Sequence, residues 1–120
     1  MSLIEEVGVA WNARQEIWRN LHSGKNHTVH YVYADITNPD HPLFPSFSVR
    51  DCNPKELPSF YGIVISGDLP AHLVARAAVF YSKCTFLAVE YRRYSAIVIK
   101  SSLPSVRVGD QLMDVTPLYR

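Results

Sequence analysis

The chain has 120 residues, 48% of them hydrophobic, with 12 Lys and Arg against 11 Asp and Glu for a formal charge of +1. That length is one domain, and the apolar share is enough for a core of its own. Near-neutrality excludes the broad basic surface on which non-specific binding to long DNA or RNA depends, because such binding is mostly phosphate neutralisation.

At the start of the chain, Ile4, Val7, Trp11, Trp18 and Leu21 fall at steps of three, four and seven. This spacing predicts an amphipathic helix within residues 1–24, ended by Ser23-Gly24. The next run, HTVHYVYADI, is rich in β-branched and aromatic residues and predicts a strand from Thr28 to Ile36. Five of the eight prolines then lie between Pro39 and Pro58, which predicts a long surface excursion with a short edge strand at Phe47 to Arg50. YGIVISG reads as a strand ended by Gly67, and DLPAHLVARAAVFYSK as a helix with Asp68 at its N-cap and proline in its first turn. FLAVEY and YSAIVIKS are two further strands, joined closely around Arg92 and Arg93. After Pro104, SVRVGDQLMDV predicts a short strand, a Gly-Asp turn and a final edge strand.

Strand, helix and strand in succession make a βαβ unit with parallel strands, and the next step is a hairpin. The expected architecture is a single α/β domain with a mixed, Rossmann-like sheet over residues 25–120, with the N-terminal helix packed on it or at an interface. No apolar run approaches the ~20 residues of a membrane span. The opening MSLIEEVGVAW carries two Glu where a signal peptide has basic residues, so the expected location is the cytoplasm. Cys52 and Cys84 lack CxxC spacing, which argues against a disulfide scaffold or a zinc ribbon.

A βαβ unit delivers both strand ends and the helix start to one edge of the sheet. Here that edge gathers Ser66-Gly67-Asp68 and Pro70 with Glu90-Tyr91-Arg92-Arg93-Tyr94. Free amides at a helix start attract anions, Arg92 and Arg93 can bind phosphate, and Tyr91 and Tyr94 offer rings for stacking a base. The alternative is a capped turn beside solvated arginines, since Asp68 sets a negative charge where phosphate would approach. His72 falls in the first helical turn, where it could serve as donor or general acid/base, or be an ordinary exposed histidine. His27 and His30 of HTVH project from opposite faces of a strand, which disfavours a metal pair. Charge is also uneven: residues 1–70 hold five basic and eight acidic side chains, and residues 71–120 hold seven and three.

The stretch GIVISGDLPAHLVARAAVFYSKCTFLAVEYRRYSAIVIKSS, followed by VRVGDQL, resembles the small CARF-related ring nucleases that accompany type III CRISPR systems. The resemblance covers roughly Thr28 to Val115. It implies a CARF-like fold, binding of cyclic tetra-adenylate, and cleavage of that ring to end the antiviral signal. It further implies a homodimer, with two dimers able to sandwich the ring, and a possible requirement for manganese. Carried over by position, Ser66, Gly67 and Pro70 match the binding loop and Arg93 matches the arginine of the hairpin turn.

Departures from the pattern fall at positions that handle metal or protons in that family. Its loop arginine is Asp68 here, its turn aspartate is Tyr91, and its histidines fall on Val79, Ser82, Lys83 and Ser102. Two outcomes follow. A ring nuclease rebuilt on Arg93, His72 and Tyr91, with Lys83 as a further candidate, would open the ring by attack of a ribose 2′-OH, leaving a 2′,3′-cyclic phosphate. A sensor or sponge would bind without cutting. A ligand-free oligomerisation module is the third reading.

Overall fold

A computed structural model describes residues 7–119. In chain order the elements are β1 (Gly8–Asn20), β2 (Asn26–Thr37), α1 (Phe44–Arg50), β3 (Gly62–Ile65), α2 (Ala71–Phe80), β4 (Phe86–Arg92), β5 (Ser95–Ser101) and β6 (Gln111–Asp114), then a 3-10 turn at Thr116–Tyr119. The six strands form a closed barrel in the order β1-β2-β3-β4-β5-β6. β2, β3 and β4 run parallel and the other neighbours antiparallel, with β1 closing on β6 through Trp18↔Asp114 to Asn20↔Leu112.

The Rossmann-like α/β domain with an N-terminal helix is therefore corrected to a closed β-barrel carrying two short helices. The β3–α2–β4 crossover and the β4–β5 hairpin exist, but as parts of a barrel wall. The predicted helix is β1, with Val7 just before it and Leu21 in the turn after it, while Ile4 lies outside the described residues. Val7, Val9, Trp11 and Ala13 pack into the cluster under the helices, whereas Trp18 is in the barrel interior. The covered side of the segment changes face along its length, from Val7, Val9, Trp11 and Ala13 to Glu16, Trp18 and Asn20, so strict alternation is broken and Val7, Trp11 and Trp18 imitate helical spacing. Gly24, at φ +74, turns the β1–β2 hairpin. Phe47 to Arg50 is helical within α1, not an edge strand. Residues 105–108 form turns in place of the first predicted late strand.

Two cores follow from period-2 geometry in the barrel wall. Trp18, Val29, Tyr31, Val64, Phe86, Ala88, Ala96, Val98, Val106 and Leu112 fill the interior. On the opposite face of the sheet, Val32, Ile63, Ile65 and Leu87 pack against Leu73, Ala77 and Phe44 from the helices. Gly62 sits on β3 because the Phe86 ring occupies the space a Cβ would take.

β1 and β2 are much longer than the other strands, and their Gly8–Thr37 end continues past the barrel. The molecule measures 52 × 28 × 22 Å as a result. The inner face of this extension stands as a wall beside one barrel opening, which brings Asn12, Arg14, Tyr31 and Tyr33 to that end.

His27 and His30 lie on opposite faces of β2, His27 edge-on to Phe86 and His30 edge-on to Tyr61. Neither Nε2 has a hydrogen-bond partner among the described residues. Burial, reinforced by nearby Lys25 and Lys55, lowers both pKa values below the ordinary histidine range. The unfolded chain then binds protons that the folded chain refuses, so stability is full above about pH 6.5 and falls as pH drops further. Thermal melts should show a lower Tm at pH 5.5 than at pH 7.5, and a smaller drop in the H27Q/H30Q double variant. An unchanged drop would place its origin elsewhere.

Candidate ligand site at the barrel mouth

The end of the barrel reached by the ascending strands opens into a cavity of about 650 Å³. Arg14 and Glu16 from β1, Tyr31 from β2, Gly67 and Asp68 after β3, Glu90 to Tyr94 from the β4–β5 hairpin, and Asp114 from β6 line it. β3 and β4 are parallel, so Gly67-Asp68 and Tyr91-Arg92-Arg93 necessarily emerge at the same end. Arg93 and Tyr94 form the two-residue hairpin turn, since Arg92 pairs with Ser95. Tyr94, the second of the two, takes φ 67 in the left-handed region, and the strand register shifts between Glu90 and Arg92 just before the turn. The Tyr94 carbonyl accepts the Asp114 amide at 3.0 Å, which fixes the turn against β6.

The two turn arginines are exposed and each lies over a tyrosine ring, Arg92 over Tyr91 at 5.7 Å and Arg93 over Tyr94 at 4.9 Å. Such stacking orients a guanidinium while leaving its N–H edge available to an anion. Tyr91 also receives a hydrogen bond on its hydroxyl from Gln111 Nε2 at 3.5 Å.

The amides expected to bind an anion are already used. The Gly67 N–H donates to Glu90 Oε1 at 3.1 Å, and the Asp68 N–H donates to Ser66 Oγ at 3.2 Å. Ser66 is buried and its own N–H donates to the Val32 carbonyl, so it holds the loop and does not face the cavity. Pro70, not Asp68, occupies the N-cap position of α2, and no side chain caps that helix. Asp68 is exposed on the rim.

His72 is elsewhere. Its Nε2 is 3.0 Å from Ser48 Oγ and its ring meets Phe44 edge-on, so it belongs to the α1–α2 contact. Of the predicted catalytic trio, the fold brings Arg93 and Tyr91 together and leaves His72 outside. Of the positions that hold histidine in the resembled family, Val79 is exposed near the end of α2; the remaining three are Ser82 and Lys83, which precede β4, and Ser102, which follows β5 with its N–H on the Thr85 carbonyl. All three lie at the barrel end away from Tyr91.

Sequence reasoning missed the contribution of β1 and β2. Glu16, only 3% exposed, accepts hydrogen bonds from Arg14 Nε at 2.7 Å and Trp18 Nε1 at 2.9 Å. Tyr31 donates its hydroxyl proton to Glu90 Oε1 at 2.7 Å, and burial beside these carboxylates raises the Tyr31 pKa far above its usual value. The signal was the alternation Arg14, Glu16, Trp18 against Tyr31 and Val29, visible once residues 8–20 are read as a strand. Glu16 and Glu90 are thus committed to neighbours, and among the described residues no three of His, Cys, Asp and Glu converge as metal ligands.

These features define a small closed-barrel domain with an arginine- and tyrosine-lined mouth. Residues 36–113, more than half of the chain, match the family described as CRISPR-associated protein (Cas_csx3), and the chain belongs to that family. The expected CRISPR association stands on this finding, which does not extend to the CARF ring nucleases in particular. No curated protein matches the chain. Among the described residues no helix is long and apolar enough to cross a membrane.

Proposed function

We propose that the barrel mouth binds cyclic oligoadenylate, cyclic tetra-adenylate being the first choice, and opens the ring to silence CRISPR signalling. The observation that carries this reading is the Tyr91-Arg92-Arg93-Tyr94 turn, which sets two stacked arginines and two rings on the rim of a 650 Å³ cavity. A cyclic oligonucleotide presents phosphates and bases alternately, so a rim of cationic forks and aromatic faces complements it. Because the loop amides are taken by Glu90 and Ser66, phosphate binding falls to the arginines.

Ring opening needs no water. A ribose 2′-oxygen bonds to the adjacent phosphorus, the bond from phosphorus to the 5′-oxygen breaks, and the 2′ proton is passed on while the leaving oxygen gains one. The products are a 2′,3′-cyclic phosphate and a 5′-hydroxyl. Arg93 would stabilise charge building on the phosphorane oxygens, and Tyr91, beside it, would relay a proton. A symmetric assembly would present the turn more than once, as a ring with repeated phosphates requires.

One observation favours the second reading, binding without cutting: among the described residues no histidine lines the mouth, since His72 is held at Ser48. Incubation with radiolabelled cyclic tetra-adenylate, followed by gel shift and chromatography with and without manganese, separates the two. A shifted complex and a linear product carrying a 2′,3′-cyclic phosphate are expected. A shift with no product over hours makes the protein a sensor or sponge, and no shift removes both ligand readings.

A further inference from the structure

Resting on the ligand reading above, we propose that Arg14, outside the matched family region, is a third phosphate-binding arginine of the mouth, and that buried Glu16 is the residue positioning it. Arg14 is 53% exposed while its partner is 3% exposed. Its Nε is consumed by Glu16, which leaves both Nη groups with no hydrogen-bond partner among the described residues. Its guanidinium carbon is 5.0 Å from the ring centroids of both Tyr31 and Tyr33, and Tyr31 is itself fixed by Glu90. The fork is therefore fixed at its inner edge and on one face, and it lines the cavity with its remaining donors unspent.

A buried carboxylate in a barrel is a poor device for stability. Well-packed apolar residues of similar volume do as well or better, because the ion pair loses hydration on burial. Placed at the mouth, the same pair does something an apolar pair cannot: it presents an oriented guanidinium with its rotamer cost already met. Since Glu16 neutralises Arg14, the pair adds directional hydrogen bonds to a phosphate without adding net charge.

That property gives a specific signature. The full chain and its variants are titrated with cyclic tetra-adenylate by calorimetry at 50 and 200 mM NaCl, with a thermal melt confirming each fold. The charge-neutral R14Q/E16Q variant should bind roughly tenfold to fiftyfold more weakly while keeping the wild-type salt dependence, as removal of hydrogen bonds at constant net charge requires. R92A/R93A should instead flatten the salt dependence, by about 0.7 in slope for each phosphate that is no longer neutralised. R14K, which keeps charge but not the fork, should also bind roughly tenfold more weakly, and carries the test if R14Q/E16Q does not fold. E16Q adds net positive charge but releases the fork, so it should bind no more tightly than wild type. Wild-type affinity in folded R14Q/E16Q or R14K, with binding weakened in R92A/R93A, overturns the role of Arg14 and leaves the ligand reading standing. Tighter binding by E16Q overturns the positioning role of Glu16. Failure of the wild-type chain to bind removes the ligand reading and this inference with it.

Discussion

Gly67→Ala is expected to lower stability by about 2–3 kcal/mol, near the upper end for forcing added atoms into occupied space, although the residue itself is exposed. A Cβ at this position would fall inside the van der Waals distance of the Glu90 carbonyl oxygen, which is backbone and part of β4. Nothing flexible can move aside, so either the loop or the strand must shift. Either shift breaks the Gly67 N–H bond to Glu90 Oε1, and with it the anchor of Tyr31. For a domain of this size the loss corresponds to a Tm lower by roughly 10 °C. Gly8→Ala, where a Cβ meets nothing within 4 Å, should change stability by no more than about 0.5 kcal/mol. Equal melting of the two variants would mean that the Ser66–Asp68 loop is not pinned by β4. The same experiment probes the site, because folded Gly67→Ala protein should hold ligand more weakly at a displaced Glu90–Tyr94 turn.

Arg93→Ala is expected to leave the fold intact and to reduce ring opening by about 10²–10³-fold, the usual cost of removing a donor that stabilises developing negative charge. Arg93 is exposed at the tip of a two-residue turn, and it meets Tyr94 in a surface stack, so its removal disturbs no core. The check is single-turnover cleavage of cyclic tetra-adenylate alongside a melting curve. Wild-type turnover by the folded variant would count decisively against the assignment of Arg93. Weaker affinity with an unchanged single-turnover rate at saturating protein would make it a binding group that acts before the chemical step.

How much of this was legible in the sequence depended on how many faces of each segment are buried. Residues 62–101 were readable because β3, β4 and β5 are short β-branched runs broken by Gly67, Pro70 and the Arg93-Tyr94 turn, and because α2 is long enough to show its period. β1 imitates a helix because its apolar groups serve two cores, Trp11 under the helices and Trp18 in the barrel. That single ambiguity hides the barrel, since closure depends on pairing between β1 and β6. It also hides the wall of the site. Arg93 and Tyr91 follow from the crossover geometry alone, whereas His72 does not, because a helix position near a site does not say which way a side chain turns. Packing against α1 decides that, and α1 itself lies in a proline-rich stretch that reads as irregular. The amide donors of the loop mislead for a related reason: Glu90, from another strand, reaches Gly67 before any ligand does.

The seam between β1 and β6 carries a consequence for the birth of the molecule. It joins segments from opposite ends of the described chain, so closure must wait until Asp114 has left the ribosome, long after β1 and β2 can pair as a local hairpin. During that interval the free edges of β1 and β5 expose unpaired backbone groups suited to joining another chain. The nascent protein is thus open to misassembly until β6 has been made, and slow closure through such distant pairings is what the barrel's topology dictates.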